Sequence, residues 1–95
     1  MTQMSEIDNQ ITTLIQDDIR RKGLVDTGKL LRSIKVNSYN AGKSFGFDVV
    51  AEDYFEYLDA KYNIIEDVTN SSKFINIIED YMVKQIESSI DKKIN

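Results

Sequence analysis

Apolar residues recur at helical spacing over residues 5–22, where Ile7, Ile11, Leu14, Ile15 and Ile19 form one stripe of an amphipathic helix. Ser5 stands where an N-cap is expected. Asp8, three residues on, takes the reciprocal place of a capping-box-like pair. Arg20, Arg21 and Lys22 fall in the last turn, where positive charge suits the C-terminal end of the helix dipole. Gly23 then fits a left-handed position just past the helix, with Leu24 folding back onto Ile19.

The period then changes. Val25-Asp26-Thr27-Gly28 reads as a turn, with Asp26 or Thr27 capping a short helical turn through Leu30 and Leu31. Over residues 33–39 the pattern alternates, Ile34 and Val36 on one face, Lys35 and Asn37 on the other. Residues 40–43 form a loop, after which Phe45, Phe47, Val49 and Ala51 alternate with Gly46, Asp48 and Val50. Two such strands around a Gly-containing loop predict an antiparallel hairpin. Gly46 marks either a bulge or a close approach by another backbone.

Residues 53–59 fit two descriptions. Tyr54, Tyr57 and Leu58 suit one helical face with Asp53 as cap, and Tyr54-Phe55-Glu56-Tyr57 suits a short strand. Ile64, Ile65 and Val68 predict one more short strand in the following connector. Ser71 or Ser72 caps a long final helix whose stripe runs Phe74, Ile78, Met82, Ile86, Ile90 and Ile94, widened by Ile75, Ile77 and Tyr81. At 1.5 Å per residue such a helix spans roughly 35 Å, longer than a small core covers, so its end from Glu87 onward is expected to contact something else. With no repeat, low-complexity tract or linker, the 95 residues predict one domain, residues 1–95, of α+β class. Two helices are expected to pack on one face of a small antiparallel sheet.

Composition narrows the chemistry. The chain has no His, Cys, Trp or Pro. An imidazole base, a thiolate nucleophile and His- or Cys-ligated metal sites are therefore excluded. Adjacent carboxylates at Asp17-Asp18, Glu52-Asp53, Glu66-Asp67 and Glu79-Asp80 point to different faces of any regular element, so none forms an acid–base dyad. A divalent-cation site from Glu52, Asp53, Glu56 and Asp59 matches no calcium-loop spacing. No phosphate-binding loop, dinucleotide fingerprint or nucleophile elbow is present. The expectation is a non-enzymatic protein with no catalytic residue, metal or cofactor. No apolar run approaches the roughly 20 residues of a membrane span, and the first residues lack the pattern of a signal peptide.

Charge is unevenly placed. The net charge of −4 hides a segment 20–43 with seven basic residues and one acid, followed by a segment 48–67 with seven acids and one base. Three readings remain open: two solvated faces of one domain, a nucleic-acid footprint, or self-complementarity, in which the basic side of one copy meets the acidic side of the next in a heterologous contact that closes into a ring. Asp17 with Arg21 is an i,i+4 surface pair. The candidate basic side comprises Arg20, Arg21, Lys29, Arg32, Lys35 and Lys43. The candidate acidic and aromatic side comprises Asp48, Glu52, Asp53, Tyr54, Glu56, Tyr57, Asp59 and Tyr62. Tyr is favoured at protein interfaces because its ring packs while its hydroxyl stays wet.

The run Val25-Asp26-Thr27-Gly28-Lys29-Leu30-Leu31-Arg32-Ser33-Ile34 resembles the V-D-T-G-x-L-R-x-S-I signature of the tail-completion, or neck, protein family of tailed bacteriophages. Asp26, Thr27, Gly28, Leu30 and Ser33 carry that turn motif. Tyr54-Phe55-Glu56-Tyr57-Leu58-Asp59-Ala60 is similar to the family's tyrosine-rich segment after the hairpin, and Phe74-Ile75-Asn76-Ile77-Ile78 to the start of its last helix. The chain has Ala60-Lys61 where the family carries Gly-Thr. The resemblance implies a structural subunit of a phage, or of a phage-derived contractile particle, that joins the head connector to the tail. It would form a homo-oligomeric ring, six-fold or else twelve-fold, with a portal or adaptor ring on the head side and tail-terminator or tail-tube proteins on the other. DNA would cross its lumen without sequence-specific binding, and no membrane would be involved. Its place would be the virion neck, after assembly in the host cytoplasm. The alternatives are a tail-terminator ring subunit, a nucleic-acid-binding accessory protein using the basic segment 20–43, and a small metal-dependent enzyme built on the carboxylate-rich middle.

Overall fold

A computed structural model describes the backbone of residues 4–24, 28–41 and 44–94, and the side chains of residues 6–24, 28–40 and 44–84. In chain order the elements are α1 (Met4–Arg21), α2 (Lys29–Ser33), β1 (Lys35–Ala41), β2 (Ser44–Val50), α3 (Asp53–Tyr62), α4 (Ile64–Thr69) and α5 (Ser72–Ile94). The class is α+β, as the pattern predicts.

Helix α1 is the spine. Ile7, Ile11, Ile15 and Ile19 occupy four successive i,i+4 positions, and each is at most 1% exposed. Burying an Ile fully stabilises by about 1.5–3 kcal/mol, so this stripe dominates a small core. It packs against β1, α4 and α5. Ser5 lies inside the first turn and not before it. Asp8, expected to reach back to Ser5, reaches outward instead and accepts hydrogen bonds from the Ser38 N–H (2.8 Å) and the Ser38 hydroxyl of β1. At the other end, the Gly23 N–H donates to Arg20 O (3.0 Å) and the Leu24 N–H to Ile19 O (3.1 Å). With Gly23 at φ 71° this is a Schellman cap, the left-handed ending that the Gly predicts.

Gly28 (φ 79°) is itself the N-cap of α2 and makes no side-chain cap bond. The expected caps Asp26 and Thr27 lie outside the described residues. Leu30 and Leu31 are buried, and the Leu31 carbonyl accepts a hydrogen bond from Gln16 of α1 (2.9 Å). Ser33 ties two elements together. Its hydroxyl donates to Leu30 O (2.7 Å) and accepts the Glu52 N–H at the head of α3 (3.2 Å).

The sheet is a single antiparallel hairpin, paired one-to-one from Lys35↔Val50 to Ala41↔Ser44. The strands extend closer to the turn than predicted and leave Gly42 and Lys43, which are not described, as a two-residue connection. No bulge interrupts the ladder at Gly46. The Tyr39 ring occupies the space beside it instead, so a side chain and not a backbone makes the close approach. Val36, Phe47 and Phe45 share the face toward the helices. Phe47 meets Phe74 (ring centroids 5.7 Å) and Phe45 meets Tyr81 (5.9 Å), which docks the start of α5 on that face. Asn40 also donates to the Tyr81 hydroxyl (3.2 Å).

Two elements differ from expectation. Residues 53–62 are helical, but the buried face is Phe55 and Leu58; Tyr54 and Tyr57 point outward. The predicted strand around Ile64, Ile65 and Val68 is the helix α4, which buries Ile64 and Val68 at i,i+4 spacing. Asn63 takes the left-handed conformation (φ 55°) between α3 and α4, a position Asn tolerates better than most residues. Asp59 Oδ1 accepts the Ile65 N–H (2.7 Å) and satisfies an open donor at the start of α4. Ser71, of the two candidate serines, caps α5 by accepting the Phe74 N–H (3.2 Å). The α5 backbone is helical to Ile94. The molecule measures 54 × 21 × 17 Å, an elongation that a helix of this length imposes on so small a core.

Candidate interaction surface

The structure divides the basic segment into paired and unpaired cations. Arg20 Nη1 lies 3.0 Å from Asp17 Oδ1, and Arg21 Nη1 lies 3.8 Å from Asp18 Oδ1. The expected Asp17–Arg21 pair is therefore replaced by two i,i+3 pairs. Lys29 approaches Glu52 at 3.8 Å and so joins the basic segment to the acidic one within the same chain. Arg32 and Lys35 are exposed and have no ion pair among the described residues. Lys43 lies outside the described side chains.

Lys22 is the most enclosed of these cations. Its Nζ bridges Asp18 Oδ2 (2.5 Å) and Asp67 Oδ2 (2.7 Å), linking the end of α1 to α4. Burial by itself lowers the pKa of this ammonium. Its hydrogen bonds to Asp18 and Asp67, with their negative charges, outweigh that and hold the pKa above the ordinary lysine value. Asp18 is the buried charged residue of the described core. The Arg20-Arg21-Lys22 cluster thus completes and anchors a helix end.

The acidic and aromatic residues separate into two roles. Asp59 is structural, as the cap of α4. Tyr54 and Tyr57 are 49% and 61% exposed on the outer face of α3, with Glu56 exposed between them. Lys61 lies 6.0 Å from the Tyr57 ring centroid and 5.5 Å from that of Tyr62, within cation–π range. These side chains give α3 an exposed, aromatic-rich outer face. The face arises because the helix buries Phe55 and Leu58 and must turn its positions 54 and 57 away.

A groove of about 910 Å³ runs between β2 and the helices α3 to α5. Its apolar lining includes Phe45, Phe47, Val49, Phe55, Phe74 and Ile78. Asp48, Glu52, Asp53 and Glu56 line it as well, and of these Glu52 is the one with an ion pair among the described residues. No local sequence pattern announces this groove, because its walls come from elements far apart in sequence. The alternation of Phe45, Phe47 and Val49 signals an inward face but not that the helices stop short of covering the strand beside it.

Among the described residues no group of three or more acidic residues is placed to hold a metal ion, so Glu52, Asp53, Glu56 and Asp59 do not converge. No helix among them is long and apolar enough to cross a membrane. Compared with protein-family models, with curated proteins and with solved structures, the chain matches none.

Proposed function

We propose that this chain is a structural, self-assembling subunit whose copies form a ring in the neck of a tailed phage or a phage-derived particle. The observation that carries the reading is the outer face of α3. Tyr54 and Tyr57 are both about half exposed or more, beside exposed carboxylates and on a helix whose opposite face is anchored in the core. Large aromatics held rigidly in water at the edge of an acidic surface suit an interface that desolvates them. Arg32 and Lys35, exposed and without an ion pair among the described residues, offer the opposite charge for a neighbouring copy. The Val25–Ile34 resemblance supports a place for this assembly between head connector and tail.

The charge arrangement favours a ring over a nucleic-acid accessory. Arg20, Arg21, Lys22 and Lys29 each face a carboxylate of their own chain, so few cations remain to displace counterions from a duplex. An acidic ring would let DNA pass without adhering to it.

Native mass spectrometry and negative-stain microscopy of the purified chain, with and without the double substitution Tyr54→Ser/Tyr57→Ser, test the proposal. The expected result is a closed ring of six or twelve copies that the substitution dissociates, with an unchanged circular dichroism spectrum. A wild-type chain that stays monomeric at every concentration while binding duplex DNA with a steep salt dependence overturns it.

A further inference from the structure

We propose that the open edge of β2 is a docking site for an extended segment of another protein, one whose side chains alternate apolar and basic, added to the hairpin as a third strand. The two edges of the hairpin are not equivalent. On β1, the Ser38 N–H points away from β2 and donates to Asp8, so α1 closes that edge. The same bond fixes the ladder. In an antiparallel pair, hydrogen-bonded and non-hydrogen-bonded positions alternate. Ser38↔Phe47 is thereby a non-hydrogen-bonded pair, as are Val36↔Val49 and Asn40↔Phe45. The two-residue connection agrees, because it is closed by Ala41↔Ser44, of the opposite parity.

The backbone N–H and C=O groups of Phe45, Phe47 and Val49 consequently point away from β1, along the groove. No hydrogen bond to another described residue takes them up. A row of three unpaired donor–acceptor pairs beside an apolar floor is the template that strand addition uses.

The side chains specify the occupant. An added strand places alternate residues on each face. On one face its neighbours are Phe45, Phe47 and Val49, with Phe74 and Ile78 beyond, which favours apolar residues. On the other they are Gly46, Asp48 and Val50, and Asp53 and Glu56 line the same groove without ion pairs among the described residues, which favours Lys or Arg. A second copy of this chain fits poorly. Its β1 edge is closed by Asp8, and pairing β2 with β2 sets two acidic rims against each other. The inference does not rest on the ring, because it concerns the β2 edge and not the tyrosines of α3; Glu56 borders both surfaces.

The test uses the full chain with two synthetic heptapeptides, Lys-Val-Lys-Val-Lys-Val-Lys and its charge-reversed counterpart Glu-Val-Glu-Val-Glu-Val-Glu, read by residue-resolved amide hydrogen exchange. The lysine peptide is expected to slow exchange at Phe45, Phe47 and Val49 by at least about tenfold and to leave Gly46, Asp48 and Val50, already in the ladder, unchanged. The glutamate peptide is expected to have no effect. Asp48→Lys/Glu56→Lys, at two exposed positions, is expected to weaken lysine-peptide binding by at least about tenfold, equivalent to about 1.4 kcal/mol. Absence of binding, binding that leaves those three amides untouched, equal binding of both peptides, or concentration-dependent protection of the three amides without peptide each overturns the proposal.

Discussion

The Asp8 carboxylate of α1 receives both the backbone N–H and the hydroxyl of Ser38 in β1, thirty residues away. One side chain thus fastens the hairpin to the central helix and closes a strand edge. Asp8→Ala is expected to leave a part-buried N–H without a partner, at about 1–3 kcal/mol, less the few tenths that Ala returns as a better helix former. Urea unfolding measures the loss, and faster hydrogen exchange at the Ser38 amide locates it. Asp8→Asn, which keeps one acceptor oxygen, is expected to lose less.

Lys22 makes stability fall in alkali. Its folded-state pKa is raised, so the stabilisation from the Asp18–Lys22–Asp67 bridge is fully present below the unfolded-state value, about 10.4, and is lost as pH rises through the higher folded value. Thermal melts from about pH 8 to about pH 12 are expected to show this fall in the wild type and a shallower one in Lys22→Met. At neutral pH Lys22→Met is expected to destabilise by about 1–3 kcal/mol, because the buried Asp18 side chain loses its nearest hydrogen-bonding partner. Adding Asp18→Leu is expected to recover part of that loss.

Gly46 and Tyr39 form a cross-strand pair in which the ring stands over the glycine. A Cβ at Gly46 would lie 2.6 Å from Tyr39 Cε2. The ring is the free end of a half-exposed side chain, so it swings aside and does not break the ladder. Gly46→Ala is expected to destabilise by under about 1 kcal/mol, the worth of one cross-strand contact. The check is a shift of the Tyr39 ring resonances toward solvent-exposed values.

Gly28 sits at φ 79°, where a built Cβ lies 3.2 Å from Arg32 Nη1. Gly28→Val is expected to destabilise by about 1–3 kcal/mol, since a β-branched residue is strained in the left-handed region. Gly28→Asn is expected to be milder. Denaturant midpoints rank the two, and in the ring reading Gly28→Val also abolishes particle assembly, because β1 follows directly on α2.

Ile15 is fully enclosed at the middle of α1. Ile15→Ala is expected to cost about 2–5 kcal/mol, against a total of about 5–15 kcal/mol for a domain of ordinary stability. Differential scanning calorimetry is expected to show a strongly lowered Tm.

Where a local pattern alone decides the geometry, the sequence was legible. The 3.6-residue stripe from Ile7 to Ile19, the Gly23 ending with Leu24 on Ile19, the alternation of Ile34 and Val36 against Phe45, Phe47 and Val49, and a serine cap at Ser71 all follow from short-range periodicity and backbone chemistry. Residues 53–69 were not legible at that level. Tyr54/Tyr57/Leu58 and Phe55/Leu58 are equally good helical faces, and only the core into which Phe55 fits chooses between them. Ile64, Ile65 and Val68 fit a strand or a helix. The helix is selected by Asn63 turning left-handed, Asp59 capping Ile65 and α1 receiving Ile64 and Val68.

Local order along the chain sets which residues seek burial, where the chain turns and that its charge is divided into a basic and an acidic stretch. These are properties of neighbours within a few bonds. Packing alone settles which cations face carboxylates of their own chain, that Asp8 closes β1 while β2 stays open, and that Tyr54 and Tyr57 of α3 look outward. Each of those depends on residues brought together across tens of positions, and the packing of α1 against both the hairpin and α4 sets that closeness.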